Sequence, residues 1–244
     1  MNASFTLPSL AAAHDLSVLL GRALRLDDAG AVRLIADSGV LAVYVAVITP
    51  KGLLDRGPTV LGLRTLALSV LAPGLLAAPD EGSFDVVVPL RSLQVRVDAA
   101  LASIGAPTSS EQGLDPVTPL TIGLPAAVST IVWAGISPPR GGWQRMAPLT
   151  PPGFAAAARA GIEEVAAAIP AGTGEQIVHR VRSEVWGRPL PGAEHVPAGA
   201  AFALESLGFL GDDLIQQFAT GQWIRLSTAR GHVLVKQSAW SLGG

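Results

Sequence analysis

Two arginines and a tryptophan are concentrated in the stretch PPRGGWQR, and these residue types suit the binding of an anion or a base. Arg140, Trp143 and Arg145 combine two guanidinium groups with an aromatic plane, and glycines between them leave the loop free to adapt. The same residues also suit a structural role, in which Trp143 fills a place in the core and the arginines donate to backbone carbonyls. We favour this tethering role, because loops of compact domains commonly pack by their own side chains.

A second group of cations, Arg225, Arg230 and Lys236, lies near the end of the chain, in a stretch without aspartate or glutamate. The surrounding sequence WIRLSTARGHVLVK alternates apolar and polar residues around Ala229-Arg230-Gly231, which predicts a β-hairpin. Two short helices followed by a basic hairpin suggest a winged-helix arrangement, in which the hairpin contacts nucleic-acid phosphates. However, the cations are few, and Asp212-Asp213 would repel a phosphate backbone. We favour an edge strand that its charges protect from pairing.

Histidine is scarce in the sequence, and two histidines lie near glutamates. His179 follows Glu175 by four residues in a predicted helix, so both side chains project from one face. His195, which follows Glu194 in a loop, is a further candidate ligand. A zinc site needs three or four ligands, and no second pair at helical spacing accompanies the first. We interpret Glu175 and His179 as a solvated pair on a helix surface and predict no metal site.

The sequence lacks the short motifs that commit a protein to catalysis. No serine lies in a Gly-x-Ser-x-Gly frame, and Gly172-Thr173-Gly174 is not followed by the Gly-Lys-Ser/Thr of a phosphate-binding loop. The chain contains no cysteine, which excludes disulfides, thiolate metal sites and cysteine nucleophiles. We expect no cofactor. An enzyme with dispersed groups around Arg140, Trp143, Arg145 and His179 is our third hypothesis.

The composition is poor in charge. Charged residues make up 15% of the 244 residues and the net charge is −2, whereas an average domain is about 25% charged. This balance argues against a surface that binds nucleic acid or a membrane through charge. In the uncharged window over residues 116–139, prolines and hydroxyls leave 126–136 as a predicted buried strand or short core helix, not a membrane span. The N-terminus lacks a signal-peptide layout, and we expect a cytoplasmic protein.

The first part of the chain predicts a sheet with flanking helices. Ser9 is suited to cap a helix that ends near Leu26, and Asp37-Ser38-Gly39 separates two apolar runs as in a tight hairpin. The second run is apolar at nearly every position and should be a central strand covered on both faces. The other predicted elements are strands over 59–68 and 84–89 and a helix over 90–104.

The second part of the chain predicts more helix, after a linker-like stretch over 105–116. A helix covers 154–169, and Thr173 with Gln176 matches a capping box for the next helix, which should bury Ile177. The remaining predicted elements are a helix from Pro197, a short helix from Asp212 to Gly221, and the closing hairpin.

Two parts of the sequence resemble proteins of unknown function from GC-rich bacteria. The first is LxRALRLDDAGAVRLIADSGVLAVYVAV, and the second combines GWxR, VRSEVWGRPL and PAGAAFALESLGFL. The resemblance covers most of the chain and implies membership of an uncharacterised conserved family. It implies no activity, cofactor or site residue.

Together these observations predict an α+β protein. Residues 1–104 should form a mostly antiparallel sheet with flanking helices, 105–116 a linker, and 117–244 a mostly helical lobe closed by a β-hairpin. We predict a non-enzymatic protein-binding or assembly protein, since exposed apolar surface in a charge-poor chain favours a protein partner or a homo-oligomer. Nucleic-acid binding through the basic hairpin is the alternative. The candidate binding residues are Arg140, Trp143, Arg145, Arg225, Arg230 and Lys236.

Overall fold

The computed structural model describes residues 3–51, 55, 57–69, 83–104, 118–170 and 172–237. This part of the chain forms five α-helices and twelve β-strands, which confirms the predicted α+β class. The helices are α1 (Leu10–Leu26), α2 (Leu90–Ile104), α3 (Pro151–Ala168), α4 (Glu175–Gly187) and α5 (Ala198–Ser206). The strands are β1 (Ser4–Leu7), β2 (Ala31–Asp37), β3 (Val40–Ile48), β4 (Thr59–Ala67), β5 (Phe84–Pro89), β6 (Leu120–Gly123), β7 (Gln144–Arg145), β8 (Pro189–Leu190), β9 (Ala193–Pro197), β10 (Gln216–Thr220), β11 (Trp223–Thr228) and β12 (Gly231–Lys236).

The chain divides into two compact units. Unit 1 consists of Met1–Val45 and Arg64–Ala134, and unit 2 consists of Ala46–Leu63 and Gly135–Gly244. The division falls within β3 and β4, so each of these strands contributes one end to each unit. The predicted linker over 105–116 lies outside the described residues, and its boundaries stay a prediction.

Unit 1 contains a capped helix and the predicted hairpin. Ser9 caps α1 by accepting a hydrogen bond from the backbone amide of Ala12 at 3.2 Å, and residues at helical spacing over Ala13–Ala23 are buried. The strands of this unit follow the order β5-β2-β3-β4. Both turn residues between β2 and β3, Ser38 and Gly39, have positive φ values, 51° and 77°, as a tight hairpin requires.

The sheet of unit 2 has the order β4-β12-β11-β10-β7, and its neighbouring strands are antiparallel. Alternate residues of these strands form one continuous buried face, and the opposite face is buried in part, at Leu61, Trp223 and Leu234. The side chains at the remaining strand positions lie on the opposite face of the sheet. The buried face contains Val60, Ile224, Leu226, Val233 and Val235.

The three helices of unit 2 meet around Trp186. The ring of Trp186 stacks on the ring of Phe202 in α5, with 4.4 Å between their centroids. Gly161 of α3 faces the same indole, and a Cβ atom at this glycine would lie 2.3 Å from Trp186 Cζ3. Only a residue without a side chain allows α3 to approach the indole this closely.

The prediction that residues 126–136 form a buried strand or a core helix is wrong. These residues are mostly exposed and irregular, apart from a 3₁₀ turn at Val132–Gly135. The backbone amide of Val128 donates to the carbonyl of Val87 at 2.8 Å, which holds the segment along β5. The apolar residues therefore cover a strand edge instead of forming a core element. None of the helices in the described part of the chain combines the length and apolar character needed to cross a membrane.

Three further local predictions are corrected by the structure. The predicted helix from Asp212 to Gly221 is replaced by β10, because pairing with β11 and β7 outweighs local helix propensity. Thr173 does not cap α4, since its hydroxyl donates to the Pro170 carbonyl at 2.7 Å and the helix begins one residue later. Ile177, which was expected to be buried, is 57% exposed. Strand β3 lies inside the sheet, as predicted, but only alternate residues are buried.

Candidate binding surface

The outer strands of the unit 2 sheet bring residues from distant parts of the sequence onto one face. Arg145 lies opposite Phe218 in the β7–β10 pair, and Phe218 lies opposite Arg225 in the β10–β11 pair. Directly opposed residues of antiparallel strands point to the same side of the sheet. Trp143, which precedes β7, contacts the same arginine. We call Trp143, Arg145, Phe218 and Arg225 the Arg225 face; Arg145 is exposed and the other three are half-buried.

Arg225 is the centre of this face, because two aromatic rings contact its guanidinium group. The Cζ atom lies 4.8 Å from the ring centroid of Trp143 and 4.4 Å from that of Phe218. A cation at this distance over a ring is attracted by the ring's quadrupole. The rings therefore orient the guanidinium plane while using none of its N–H donors.

The N–H donors of Arg225 have no acceptor within the described part of the chain. Of these donors, the Nε atom is buried. Burial lowers the pKa of the guanidinium, and no carboxylate of the described residues offsets this effect. The group nevertheless stays charged, since arginine does not lose its proton in proteins. A buried donor without an acceptor is unfavourable in a folded protein. The arrangement therefore suits an anion that arrives from outside.

His232 lies on the neighbouring strand and contributes a polar but uncharged group at neutral pH. Its Nδ1 atom lies 2.9 Å from the hydroxyl oxygen of Ser227. Burial, followed by the positive charge of Arg225, lowers the pKa of the His232 imidazole. The positive charge on this side of β11 and β12 therefore comes from arginine and lysine.

Three of the six predicted binding residues come together on the Arg225 face. Trp143 donates from its indole Nε1 to the Pro139 carbonyl at 3.0 Å, which fixes the ring that covers Arg225. Arg145 donates from Nη2 to Gln216 Oε1 at 2.6 Å, so its guanidinium is also oriented along the face. These two hydrogen bonds hold the side chains of Trp143 and Arg145 in place on the Arg225 face.

The other three predicted residues lie elsewhere. Arg140 is in the exposed loop before β7. Arg230 lies at the turn between β11 and β12, where its Nη1 donates to the Leu210 carbonyl at 3.1 Å. Lys236 is half-buried at the end of β12 and lies opposite Trp223 of β11. By strand alternation it shares the side of the sheet that carries Arg225, one strand further in.

The predicted C-terminal hairpin is confirmed, but the two interpretations of it are wrong. Strand β11 pairs with β10 and β12, and β12 pairs with β11 and β4. Both strands are therefore interior and need no charges to protect an edge. The winged-helix arrangement does not form either, because the residues expected to supply its second helix form β10 and the hairpin does not project from the sheet.

The candidate metal ligands are in different places. His179 Nε2 lies 2.6 Å from Asp55 Oδ2 and 3.5 Å from the hydroxyl oxygen of Ser183. In a serine hydrolase the catalytic histidine contacts the carboxylate with one ring nitrogen and the serine with the other. Here Asp55 and Ser183 both contact Nε2 of His179, so the three residues do not form a catalytic triad. His195 contacts the buried amide of Gln217 instead. Among the described residues, no three histidine, aspartate or glutamate side chains are grouped as a metal site would require.

Asp55 anchors the segment before β4 to helix α4. Burial alone would raise the pKa of this carboxyl group, but hydrogen bonds from the backbone amides of Lys51 and Gly57 and the contact with His179 lower it. The predicted partner of His179, Glu175, forms an exposed ion pair with Lys51 Nζ at 3.0 Å. The cluster is therefore a structural latch within unit 2.

Phe218 of the Arg225 face is not among the residues predicted from the sequence. Residues 212–221 were expected to be helical, which hid the alternation of QQFAT. A signal was present, because Gly221 lies between two alternating runs and has a positive φ of 53°, as a hairpin turn requires. Reading that glycine as a turn would have placed Phe218 opposite Arg225.

Comparison with known families matches both parts of the chain. Residues 1–115 match DUF8010 and residues 138–240 match DUF8185, each described as a domain of unknown function. The predicted resemblance to an uncharacterised family is confirmed. No curated protein shows significant sequence similarity to the chain.

The solved structures that match the chain include bacterial sliding clamps. The DNA polymerase sliding clamp from Caulobacter crescentus is 13% identical over 98% of this chain, with a TM-score of 0.44. The sliding clamp from Pseudomonas aeruginosa bound to griselimycin is 13% identical over 100% of the chain, also with a TM-score of 0.44. DNA polymerase III subunit beta from Borrelia burgdorferi is 8% identical over 96%, with a TM-score of 0.46. The chain spans 64–66% of the length of these three structures.

Proposed function

We propose that the protein is a non-enzymatic binding protein that contacts a partner protein through the Arg225 face. The observation that carries the proposal is the Arg225 guanidinium, which two rings orient and from which no described residue accepts a hydrogen bond. Tryptophan and arginine are the residue types that most often dominate binding energy at the centre of protein interfaces. Here both occur side by side on a half-exposed sheet face.

The chemistry of the face suits binding better than catalysis. A guanidinium group neither gives up nor accepts a proton at physiological pH, so Arg225 is not suited to acid–base chemistry. Its position is fixed by the β-ladder on both sides of β11 and by the rings of Trp143 and Phe218. A pre-oriented side chain loses little conformational entropy when a partner binds, which favours affinity.

Nucleic-acid binding is the second candidate, and the cations and aromatic rings on one sheet face favour it. Single-stranded nucleic acids bind such faces by stacking bases on the rings and placing phosphates on the cations. Against this candidate, the rings of Trp143 and Phe218 already contact the guanidinium, which leaves less aromatic surface for a base. We therefore rank a protein partner first.

Affinity capture from a lysate of the source cells tests the proposal. The wild type, Trp143→Ala and Arg159→Ala serve as baits, with and without nuclease treatment, and retained proteins are quantified by mass spectrometry. Arg159 is an exposed residue of α3 and serves as a matched control away from the β7–β11 strands. Circular dichroism verifies that each variant is folded. Light scattering of the purified chain over a range of concentrations tests whether the partner is a second copy.

We expect one set of proteins, or the chain itself, to be retained by the wild type and Arg159→Ala and lost from Trp143→Ala. Nuclease should not change this set. Equal retention by Trp143→Ala would show that the Arg225 face is not the contact. Retention that depends on Trp143 and disappears with nuclease would favour the nucleic-acid candidate.

A further inference from the structure

We infer that the Arg225 face binds an extended acidic segment of the partner, with a carboxylate of that segment on the outer N–H groups of Arg225. This inference rests on the proposed function and specifies the chemistry of the partner at the same site. It follows from which edge of the guanidinium is open, from the charges around it and from the spacing of the cations.

The open edge of Arg225 is the one formed by its two Nη atoms. The rings of Trp143 and Phe218 contact the guanidinium, and the Nε atom is buried. The Nη atoms are likewise without a partner among the described residues, but they are not buried, so a ligand can reach them. Two parallel N–H groups on a planar guanidinium match the two oxygens of a carboxylate.

The neighbouring charges favour a ligand with more than one carboxylate. Arg145 lies on the same side of the sheet, oriented by Gln216, and Lys236 lies on that side beyond Arg225. Strands β7, β10, β11 and β12, which carry this side, contain no aspartate or glutamate. His232 lies on the other side of Arg225 from Lys236 along β12, and its lowered pKa keeps it neutral at physiological pH, so it neither adds to nor opposes the positive charge.

The spacing of the arginines fits an extended chain. Arg145 and Arg225 are separated by the single strand β10, and two interstrand steps place their backbones about 10 Å apart. In a segment with polyproline II geometry, which has three residues per turn, side chains three positions apart lie on the same side and about 9 Å apart. A segment with carboxylates at positions i and i+3 can therefore reach both arginines when it lies across the strands.

Fluorescence polarisation with labelled probes and the full chain tests the inference. The first probe is a fluorescein-labelled Gly/Ser peptide with two glutamates three residues apart, and the second replaces both glutamates with glutamine. The third probe is a fluorescein-labelled oligothymidylate. The variants are Arg225→Gln, Arg225→Lys and the control Arg159→Gln. Arg225→Lys keeps the charge but lacks the planar fork, so it separates bidentate recognition from simple attraction.

We expect the glutamate peptide to bind at least about tenfold more tightly than the glutamine peptide, and Arg225→Gln to remove this difference. Arg225→Lys should weaken binding several-fold, and Arg159→Gln should leave it unchanged. Equal binding of both peptides, tighter binding of the oligothymidylate, or no binding of the glutamate peptide would overturn the inference. If capture still depends on Trp143 in these cases, the proposed function stands and only the acidic ligand is wrong; if capture is independent of Trp143, both fail.

Discussion

Replacing Arg225 with methionine should make the protein more stable, although it should abolish binding at the Arg225 face. A residue that serves the fold normally stabilises it, whereas a residue kept for binding can do so at a cost in stability. Arg225 combines a buried Nε atom that has no acceptor among the described residues with a charge that none of their carboxylates balances. The sign of the stability change therefore separates a binding role from a structural one.

The magnitude follows from three contributions. The two ring contacts stabilise the folded state by about 0.5–1 kcal/mol each. An N–H donor buried without an acceptor costs about 1–3 kcal/mol, and more when the group is charged. Methionine retains a long side chain against the rings of Trp143 and Phe218, where sulfur–aromatic contacts contribute about 0.3–1.5 kcal/mol. The removed cost and the new contacts exceed the lost attraction, so we expect Arg225→Met to gain about 1 kcal/mol.

Thermal unfolding followed by circular dichroism measures this change. For a chain of this size, about 1 kcal/mol corresponds to a Tm increase of roughly 2–4 °C. Arg145→Met is the matched control, because Arg145 lies on the same face but is exposed and has Gln216 as a partner. Its stability should stay within about 0.5 kcal/mol of the wild type. A clear decrease in Tm for Arg225→Met would show that the arginine is a structural tether and would refute the reasoning.

Three further predictions concern the rest of the fold. Gly161→Ala should destabilise unit 2 by about 1–3 kcal/mol, since the added Cβ would lie 2.3 Å from the Trp186 indole. Gly153→Ala, in the same helix with no atom within 4 Å of the added Cβ, should have a much smaller effect in urea denaturation, and similar losses for both would contradict this packing. Asp55→Asn should reduce the acid dependence of stability: because the pKa of Asp55 is lowered in the folded protein, its stabilising contribution is present at neutral pH and lost as the pH falls through the folded pKa. Tm measured across the acidic range should fall less steeply for this variant than for the wild type, and parallel curves would count against the latch. Ser9→Ala should destabilise α1 by about 1 kcal/mol, which hydrogen exchange of the amides in its first turns would detect, and unchanged protection would contradict the cap.

Much of the fold of unit 1 is predictable from the sequence because its elements carry strong local signals. Ser9 marks the start of α1, Ser38 and Gly39 mark the hairpin, and the helical spacing after Pro89 gives α2 its full length. The errors occur where tertiary contacts outweigh local preference. The segment over 126–136 is apolar enough for a core, but it covers the edge of β5 and stays exposed.

The candidate site is predictable only in part, because its residues are distant in sequence. Trp143, Arg145 and Arg225 stand out by residue type, but the sequence alone assigns them to separate features. Phe218 completes the stack only when β10 forms, and that strand depends on pairing with β7 and β11. That none of the described residues accepts a hydrogen bond from Arg225 is a property of the packed structure, and local sequence does not reveal it.

Site-specific photo-cross-linking in the source cells tests the central claim most directly. A p-benzoylphenylalanine replaces Ser227, which follows Arg225 by two residues in β11 and so lies on the same side of the sheet, in the wild-type chain and in the Arg225→Met chain. We predict a cross-linked protein product from the first chain, with twice the chain's mass if the partner is a second copy. The same product should be missing from the Arg225→Met chain, although that chain is folded. Products that are unchanged by Arg225→Met, or that consist only of nucleic-acid adducts, would contradict the account.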